Sequence, residues 1–334
     1  MLRVMRDLGD MLRFDIMRLS RVFIIILFLI TIYWLFLGPV GKSDKQEVFV
    51  IPKNQKEFKI AKTLKEKKLI KNTQVFGLLF NISGKKVLSG GYRLNMGMNV
   101  LQILSKVTGK PDLVWVTLSG CIRKEQVGEI LAKELDWTAE ELNKWNAVIT
   151  NDKPEYKEGV YYPDTYLIPV DETGEQIAQL LINRFNEKFA PYADKYLAAN
   201  IKWTTGLKIA SLIAREAAGK QDMKLISGII WNRLDKGMPL QIDATMQYTL
   251  GKDKTGKWWG TIDINEKQSD SPYNSYLYKG LPPTPICNPS IDYIEAGLNP
   301  EETTCLYYLH DHNKQIHCSE TYKEHIANIR EYLD

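Results

Sequence analysis

Twenty consecutive residues without a charge, Val22 to Gly41 (VFIIILFLITIYWLFLGPVG), separate Arg21 from Lys42. At about 1.5 Å per residue, a helix of that length measures about 30 Å, the thickness of a bilayer's hydrocarbon core. The run therefore predicts a transmembrane helix over 22–41. A cleaved signal peptide is the rival reading. Its apolar core would be roughly 7–15 residues long and end at a small-x-small site. This run is longer and bulkier, and it ends in Gly38-Pro39. Tyr33 and Trp34 fall toward its far end, one turn inside the usual aromatic belt. Charge does not orient the span. Five Arg precede it (Arg3, Arg6, Arg13, Arg18, Arg21) and five Lys follow it (Lys42, Lys45, Lys53, Lys56, Lys59), so the positive-inside rule is tied.

No later segment is long and apolar enough to span. The chain has 334 residues, 44% of them hydrophobic, enough for about two domains of roughly 150 residues each. The net charge is +4, from 44 basic and 40 acidic residues. No dense basic block is interleaved with aromatics, so nucleic acid is not an expected partner. Residues 1–21 read as a tail and 42–46 as a polar linker. Residues 47–110 read as a small α/β module: strand EVFVI, a helix over Phe58–Lys68, an N-cap at Asn72, a strand around Tyr92 and a helix ending at Gly109. Residues 111–334 read as a mixed domain that opens with strand Leu113–Thr117. A helical insert at about 121–150 carries a capping box, Thr138 and Glu141. An aromatic loop (159–168) then leads into a strand, and a helix runs from Thr173 to Ala190. Further helices end near Ala218 and Gly237. Pro- and Gly-rich loops follow, where binding residues commonly sit. A hairpin turning at His312-Asn313 and a last helix from Thr321 close the chain. The predicted fold class is α+β.

The sharpest anomaly is IASLIAREAAG (209–219). Ile209, Leu212 and Ile213 follow the i, i+3, i+4 rule of a buried stripe. The next position on that stripe is Glu216. A carboxyl group kept from water has a raised pKa, and a carboxylic acid still protonated near neutral pH suits general-acid catalysis. The plainer readings are a helix-end carboxylate paired with Arg215, or a rotated helix on which Glu216 faces water. Arg215 is not expected to pair with it, since i, i+1 neighbours do not share a helix face. Gln241, Asp243 and Thr245 alternate, and on an extended segment would present one polar face. Trp258, Trp259, Tyr273, Tyr276 and Tyr278 offer flat surfaces, although aromatics more often pack cores. His310, Asp311, His312 and His317 lack a third ligand at metal-site spacing, so no metal or other cofactor is expected. None of the four cysteines forms a CxxC pair. Cys305 and Cys318 flank the predicted hairpin and would be the pair to join in an oxidising compartment. Four buried free thiols are the preferred reading.

Taken in order, YYPDTY (161–166), IASLIAREA (209–217), ISGIIWNRLDKGMPLQIDATMQYTLG (226–251), SPYNSYLYKGLPPTPICNP (271–289), AGLNP (296–300), LYYLHD (306–311) and TYKEHIANI (321–329) resemble the MltG/YceG-like endolytic murein transglycosylase family. The resemblance implies a bacterial inner-membrane protein with a cytoplasmic N-terminus and its bulk outside the membrane. It further implies a LysM-like module over 47–110 and a YceG-like catalytic domain over 111–334. It gives Glu216 as the catalytic residue. Gln241, Asp243, Thr245, Tyr273, Asn274, Ser275 and Tyr276 become the substrate-binding set. The implied partners are peptidoglycan glycan strands, the membrane through one helix, and cell-wall synthases. The implied reaction cleaves the β-1,4 bond between N-acetylmuramic acid and N-acetylglucosamine and leaves 1,6-anhydro ends. Two alternatives stay open: a hydrolytic muramidase using Glu216 and Asp243, and a non-catalytic peptidoglycan-binding scaffold. The family often surrounds its catalytic residue with further carboxylates, which Ala214-Arg215-Glu216-Ala217-Ala218 lacks. That favours a reaction needing one carboxylic acid.

Overall fold

A computed structural model describes residues 18–53, 55–152 and 157–333. Arg18–Leu37 form α1, an exposed helix of 20 residues with mean hydropathy 2.3, long and apolar enough to cross a membrane. It stops short of the expected end at residue 41. Pro39 disfavours the α region at the preceding residue, and Gly38 is extended, with φ −67° and ψ 164°. The last turn, Tyr33–Leu37, widens to a π-turn that Gly38 N–H closes on Tyr33 O at 2.7 Å. Beyond it the linker is pinned: Gly41 N–H donates to Met96 O (3.0 Å) and Gly97 N–H to Ser43 O (3.2 Å).

The chain divides into two compact units. The first takes the described residues up to Trp115 together with Leu167–Asp171, and the second takes Val116–Tyr166 and the residues from Glu172 onward. In the first unit, β1 (Glu47–Ile51) buries Phe49 and Ile51 and is followed by α2 (Glu57–Glu66) and α3 (Thr73–Ser83). Asn72 caps α3 by accepting Gln74 N–H and Val75 N–H, which satisfies donors a helix start leaves free. β2 (Gly90–Leu94) pairs antiparallel with β1, from Glu47↔Leu94 to Ile51↔Gly90. A Cβ at Gly90, where φ is +154°, would lie 2.6 Å from Pro111 Cβ, so only glycine fits. α4 (Val100–Val107) opens with an Asn99/Gln102 capping box. It adds Ile103 and Val107 to a core with Leu64, Phe76, Tyr92 and Leu94. The chain passes between the units within β3 (Leu113–Thr117) and β4 (Thr165–Pro169), and the four strands stand in the order β1-β2-β3-β4.

The second unit is mostly helical. α5 (Lys124–Glu134) and α6 (Ala139–Lys144) come first, with the Thr138/Glu141 capping box in place. A π-turn over Trp145–Ile149 follows. The Trp145 indole lies where a Cβ on Gly128 would meet its Cδ1 at 2.5 Å. α7 (Gly174–Ala198) runs through Pro191 instead of stopping at Ala190. Packing carries it onward: Phe189 stands 5.5 Å from Phe185 and 5.6 Å from Tyr196, and Tyr196 Oη donates to Ile294 O at 2.7 Å. Those contacts outweigh the ~3 kcal/mol that a mid-helix proline costs.

α8 (Trp203–Glu216) is central, with Leu207, Ile209, Ala210, Leu212 and Ile213 all at most 2% exposed. It packs against α7, α9 (Met223–Asp235), α10 (Asp243–Leu250) and α11 (Ile291–Leu298). The hairpin β5 (Tyr307–His310) and β6 (Ile316–Ser319) and the helix α12 (Tyr322–Tyr332) finish the unit.

The cysteines correct the free-thiol expectation. Cys305–Cys318 is a disulfide across the hairpin, and Cys121–Cys287 is a second one spanning 166 positions. Backbone bonds bring the second pair together: Cys121 N–H donates to Asn288 O and Asn288 N–H to Ile122 O, both at 2.9 Å. Asn288 also accepts Tyr161 N–H at 2.7 Å and lies beside the fully buried Glu158.

Glu158 accepts hydrogen bonds from Lys124 N–H (3.2 Å) and Tyr248 Oη (2.9 Å). Burial, with Glu125 nearby, pushes its carboxyl up to about 8. Its folded-state value therefore exceeds the unfolded one, and between the two only the folded state holds the proton. Stability from this group is complete below the ordinary glutamate value of ~4.3 and is lost as pH rises toward about 8. The slope reaches up to about 1.4 kcal/mol per pH unit. Glu158→Gln should flatten this dependence, and urea titrations at pH 5, 7 and 8.5 will measure it. A parent protein whose stability is flat across that range would contradict the assignment.

Candidate active site

Glu216 is the last residue of α8, and Ala217 is already extended at φ −68° and ψ 132°. The exposed turn is held from below. Asp222, 1% exposed and N-terminal to α9, accepts Ala218 N–H at 2.8 Å and Gly219 N–H at 3.2 Å. His310 Nε2 lies 2.7 Å from the same carboxylate. Two residues earlier on β5, Tyr308 Oη donates to Glu216 Oε2 at 2.6 Å. The period of two along a strand explains why Tyr308 and His310 both reach this turn. Burial raises the Glu216 carboxyl above the ordinary range. The Tyr308 bond opposes that, Asp243 across the cleft adds to it, and His310 and Arg215 lower it. Arg215 points elsewhere, its guanidinium 4.0 Å from the Trp259 ring.

Glu216 opens onto a cleft of about 370 Å³, lined also by Arg233, Gln241, Asp243, Tyr276, Tyr307 and Tyr308. The expected extended row is not there. Gln241 has φ +55° and Asp243 begins α10, where the helix N-terminus favours a negative side chain. Asp243 takes a hydrogen bond from Tyr276 Oη and an ion pair from Lys267 Nζ at 2.9 Å. Lys267 Nζ also donates to Tyr276 Oη at 2.9 Å, closing a triangle.

Of the expected substrate-binding residues, the cleft holds Gln241, Asp243 and Tyr276. The others do not line it. Thr245 is fully buried and shares a hydrogen bond with Ser275 Oγ at 2.9 Å, while Ser275 Oγ accepts Ile242 N–H at 2.9 Å. Asn274, also fully buried, donates to Lys267 O (3.0 Å) and Ser269 O (2.8 Å) and so places Lys267. Tyr273 pairs with Thr284 Oγ1 at 2.9 Å. Trp258 and Trp259 donate to Glu129 (3.0 Å) and Gln126 (2.9 Å) on α5. They clamp the 251–260 loop. His317 lies 3.2 Å from Asp311 and stacks on Tyr332 at 3.6 Å. Sequence reasoning missed Tyr308, Asp222, Arg233 and Lys267. For Tyr308 the signal was present, as the residue two before His310 on a strand.

The endolytic murein transglycosylase of Bacillus subtilis (strain 168) is 30% identical over 321 residues, covering 89% of this chain and 88% of that protein. The endolytic murein transglycosylase of Streptococcus pneumoniae serotype 2 (strain D39) is 25% identical over 331 residues, covering 89% of this chain and 60% of that one. A crystal structure of a YceG-like protein from Listeria monocytogenes superposes with a TM-score of 0.60 at 26% identity, covering 85% of this chain and 99% of the other. The YceG-like family pattern matches residues 49–331, a stretch that contains the whole cleft from Glu216 to His325, and the chain belongs to that family.

Proposed function

We propose that this chain is a membrane-anchored endolytic lytic transglycosylase of peptidoglycan. It would cut the β-1,4 bond between N-acetylmuramic acid and N-acetylglucosamine in nascent strands, with cell-wall synthases as neighbours. The observation that carries the reading is one carboxyl group, Glu216, raised by burial, fixed by Tyr308 and open to a cleft. The names of the Bacillus subtilis and Streptococcus pneumoniae relatives agree with it.

Glu216 protonates the glycosidic oxygen, and the bond from that oxygen to C1 of the muramic acid breaks. The C6 hydroxyl of the same sugar attacks the oxocarbenium-like C1, and its proton returns to Glu216. The product is a 1,6-anhydro ring, and no water is consumed. A tethered nucleophile has a very high effective concentration. The two free carboxylates of ordinary glycosidases are therefore not required. Lys267 and Tyr276 hold Asp243 through its Oδ1, and the reaction asks no second base of it. In this reading Asp243, Gln241 and Tyr276 position the saccharide, and Thr245, Asn274 and Ser275 support them, with Asn274 Oδ1 accepting Tyr276 N–H and Ser275 O accepting Gln241 N–H.

In this reading α1 is the anchor, with its N-terminal side in the cytoplasm and the cleft outside the cell membrane. The two disulfides support an oxidising compartment for the second unit. The β1–α2–α3–β2 order, with β1 antiparallel to β2, supports a LysM-like glycan-binding role for the first unit.

Glu216→Gln should lower kcat by about 10²–10⁴-fold without unfolding the protein. Mass analysis of digested uncrosslinked strands should give anhydro-muramic ends. Reducing muramic ends would sink the transglycosylase reading in favour of a hydrolase.

Tyr308→Phe removes a bond that favours the ionised form of Glu216. The general acid then keeps its proton to higher pH, so the alkaline limb of the kcat profile should move up. The plateau should fall about 3–10-fold as the carboxyl loses its fixed orientation. An unmoved alkaline limb would separate Tyr308 from the proton of Glu216.

A further inference from the structure

The cleft holds a cation that the reaction as written does not use. Arg233, on the last turn of α9, is 8% exposed yet lines the same cleft as Glu216. Its Nε donates to Leu306 O at 2.6 Å. Its Nη1 donates to Leu240 O (2.7 Å), Pro239 O (3.2 Å) and Gln241 Oε1 (3.3 Å). Among the described residues, every one of these acceptors is an uncharged oxygen. The bonds lock the guanidinium plane 5.1 Å from the Tyr307 ring without neutralising it. Among the described residues Nη2 makes no hydrogen bond, which leaves it as the donor for a ligand. The Tyr322 ring lies 5.8 Å from Tyr307, and His325 stacks on Tyr307 at 5.5 Å. Burial and the Arg233 charge hold His325 below its ordinary pKa, so Arg233 supplies the positive charge at this end.

A preorganised guanidinium in a cleft is suited to a carboxylate. The proposed substrate carries one close to the scissile bond. The muramic sugar whose C1 reacts bears an acidic ether at C3 of the same ring, either as a free lactyl carboxylate or extended by an acidic stem peptide. Such an anion would enter a cleft that already contains Glu216 and Asp243, and a compensating cation lowers that cost.

We infer that Arg233, flanked by Tyr307 and Tyr322, is the subsite for the carboxylate carried by the muramic substituent, and that it selects acid-bearing strands over neutral ones. The inference rests on the transglycosylase reading above. Full-length protein in detergent would be given four uncrosslinked strand preparations. These are strands with stem peptides, strands stripped of peptide by an amidase, and each of those after conversion of carboxylates to methylamides. For at least one of the two acid forms, methylamidation should raise KM by about tenfold or more while kcat changes little. The form that responds identifies the carboxylate as lactyl or peptide. In Arg233→Gln that difference should vanish, and in Arg233→Lys part of it should survive. Equal KM for acid and methylamide strands in both pairs would overturn the inference, and this needs only the parent protein. Failure to cleave any of the four would instead overturn the transglycosylase reading.

Discussion

The cleft depends on where α8 ends. Leu212 and Ile213 are fully buried, and one turn later the helix stops with Glu216 as its final residue. A helix C-terminus carries partial negative charge, which disfavours a carboxylate there. Packing also removes much of the water that would solvate one. Both effects favour the protonated acid. The extended residues that follow expose backbone donors, and Asp222 takes two of them. His310 sits against Asp222 in turn. A pair of side chains outside the cleft thus fixes the residue that lines it.

The β5–β6 hairpin supplies the other half. It delivers Tyr308 to Glu216 and His310 to Asp222 from alternate positions of one strand, and it places Tyr307 between Arg233 and His325. A two-stranded ribbon is marginal by itself. Here the Cys305–Cys318 disulfide closes it, and Arg233 accepts the role of tether by bonding Leu306 O just before β5. The geometry at Glu216 is therefore set by long-range contacts, since Tyr308 is 92 positions away in sequence.

Local signals were read well from the chain, and distant ones were not. Asn72 and Thr138 cap helices as expected, and Thr173 and Thr321 cap the helices expected to start there, because a cap is decided by residues within one turn. The oddity at Glu216 was visible as a break in helical period. Gln241-Ile-Asp-Ala-Thr245 misled because alternation over five residues fits a strand as well as a loop entering a helix. Asp243 favours a helix N-terminus, and that preference won. Thr245 then turned inward to Ser275, a partner 30 positions away. The helix expected to end at Ala190 continues through Pro191, carried by the Phe185–Phe189–Tyr196 packing. The Cys121–Cys287 bridge spans 166 positions and has no local signature.

The two carboxylates of the cleft have been given different surroundings by these same constraints. Asp243 stands at a helix start, a helix end that favours negative charge, with Lys267 and Tyr276 both on its Oδ1. Glu216 stands at a helix finish with one oxygen tied to Tyr308 and a carboxyl raised by burial. Contrasting environments can divide roles between two carboxylates of one site, and the proposed reading gives the acid's part to Glu216. A reaction that activates water needs a second base beside the acid. A reaction whose nucleophile is already attached to the substrate does not. On the proposed reading, the lone Glu in AREAA and the hold of Lys267 and Tyr276 on Asp243 Oδ1 both suit that chemistry, one seen in the sequence and the other only in the fold.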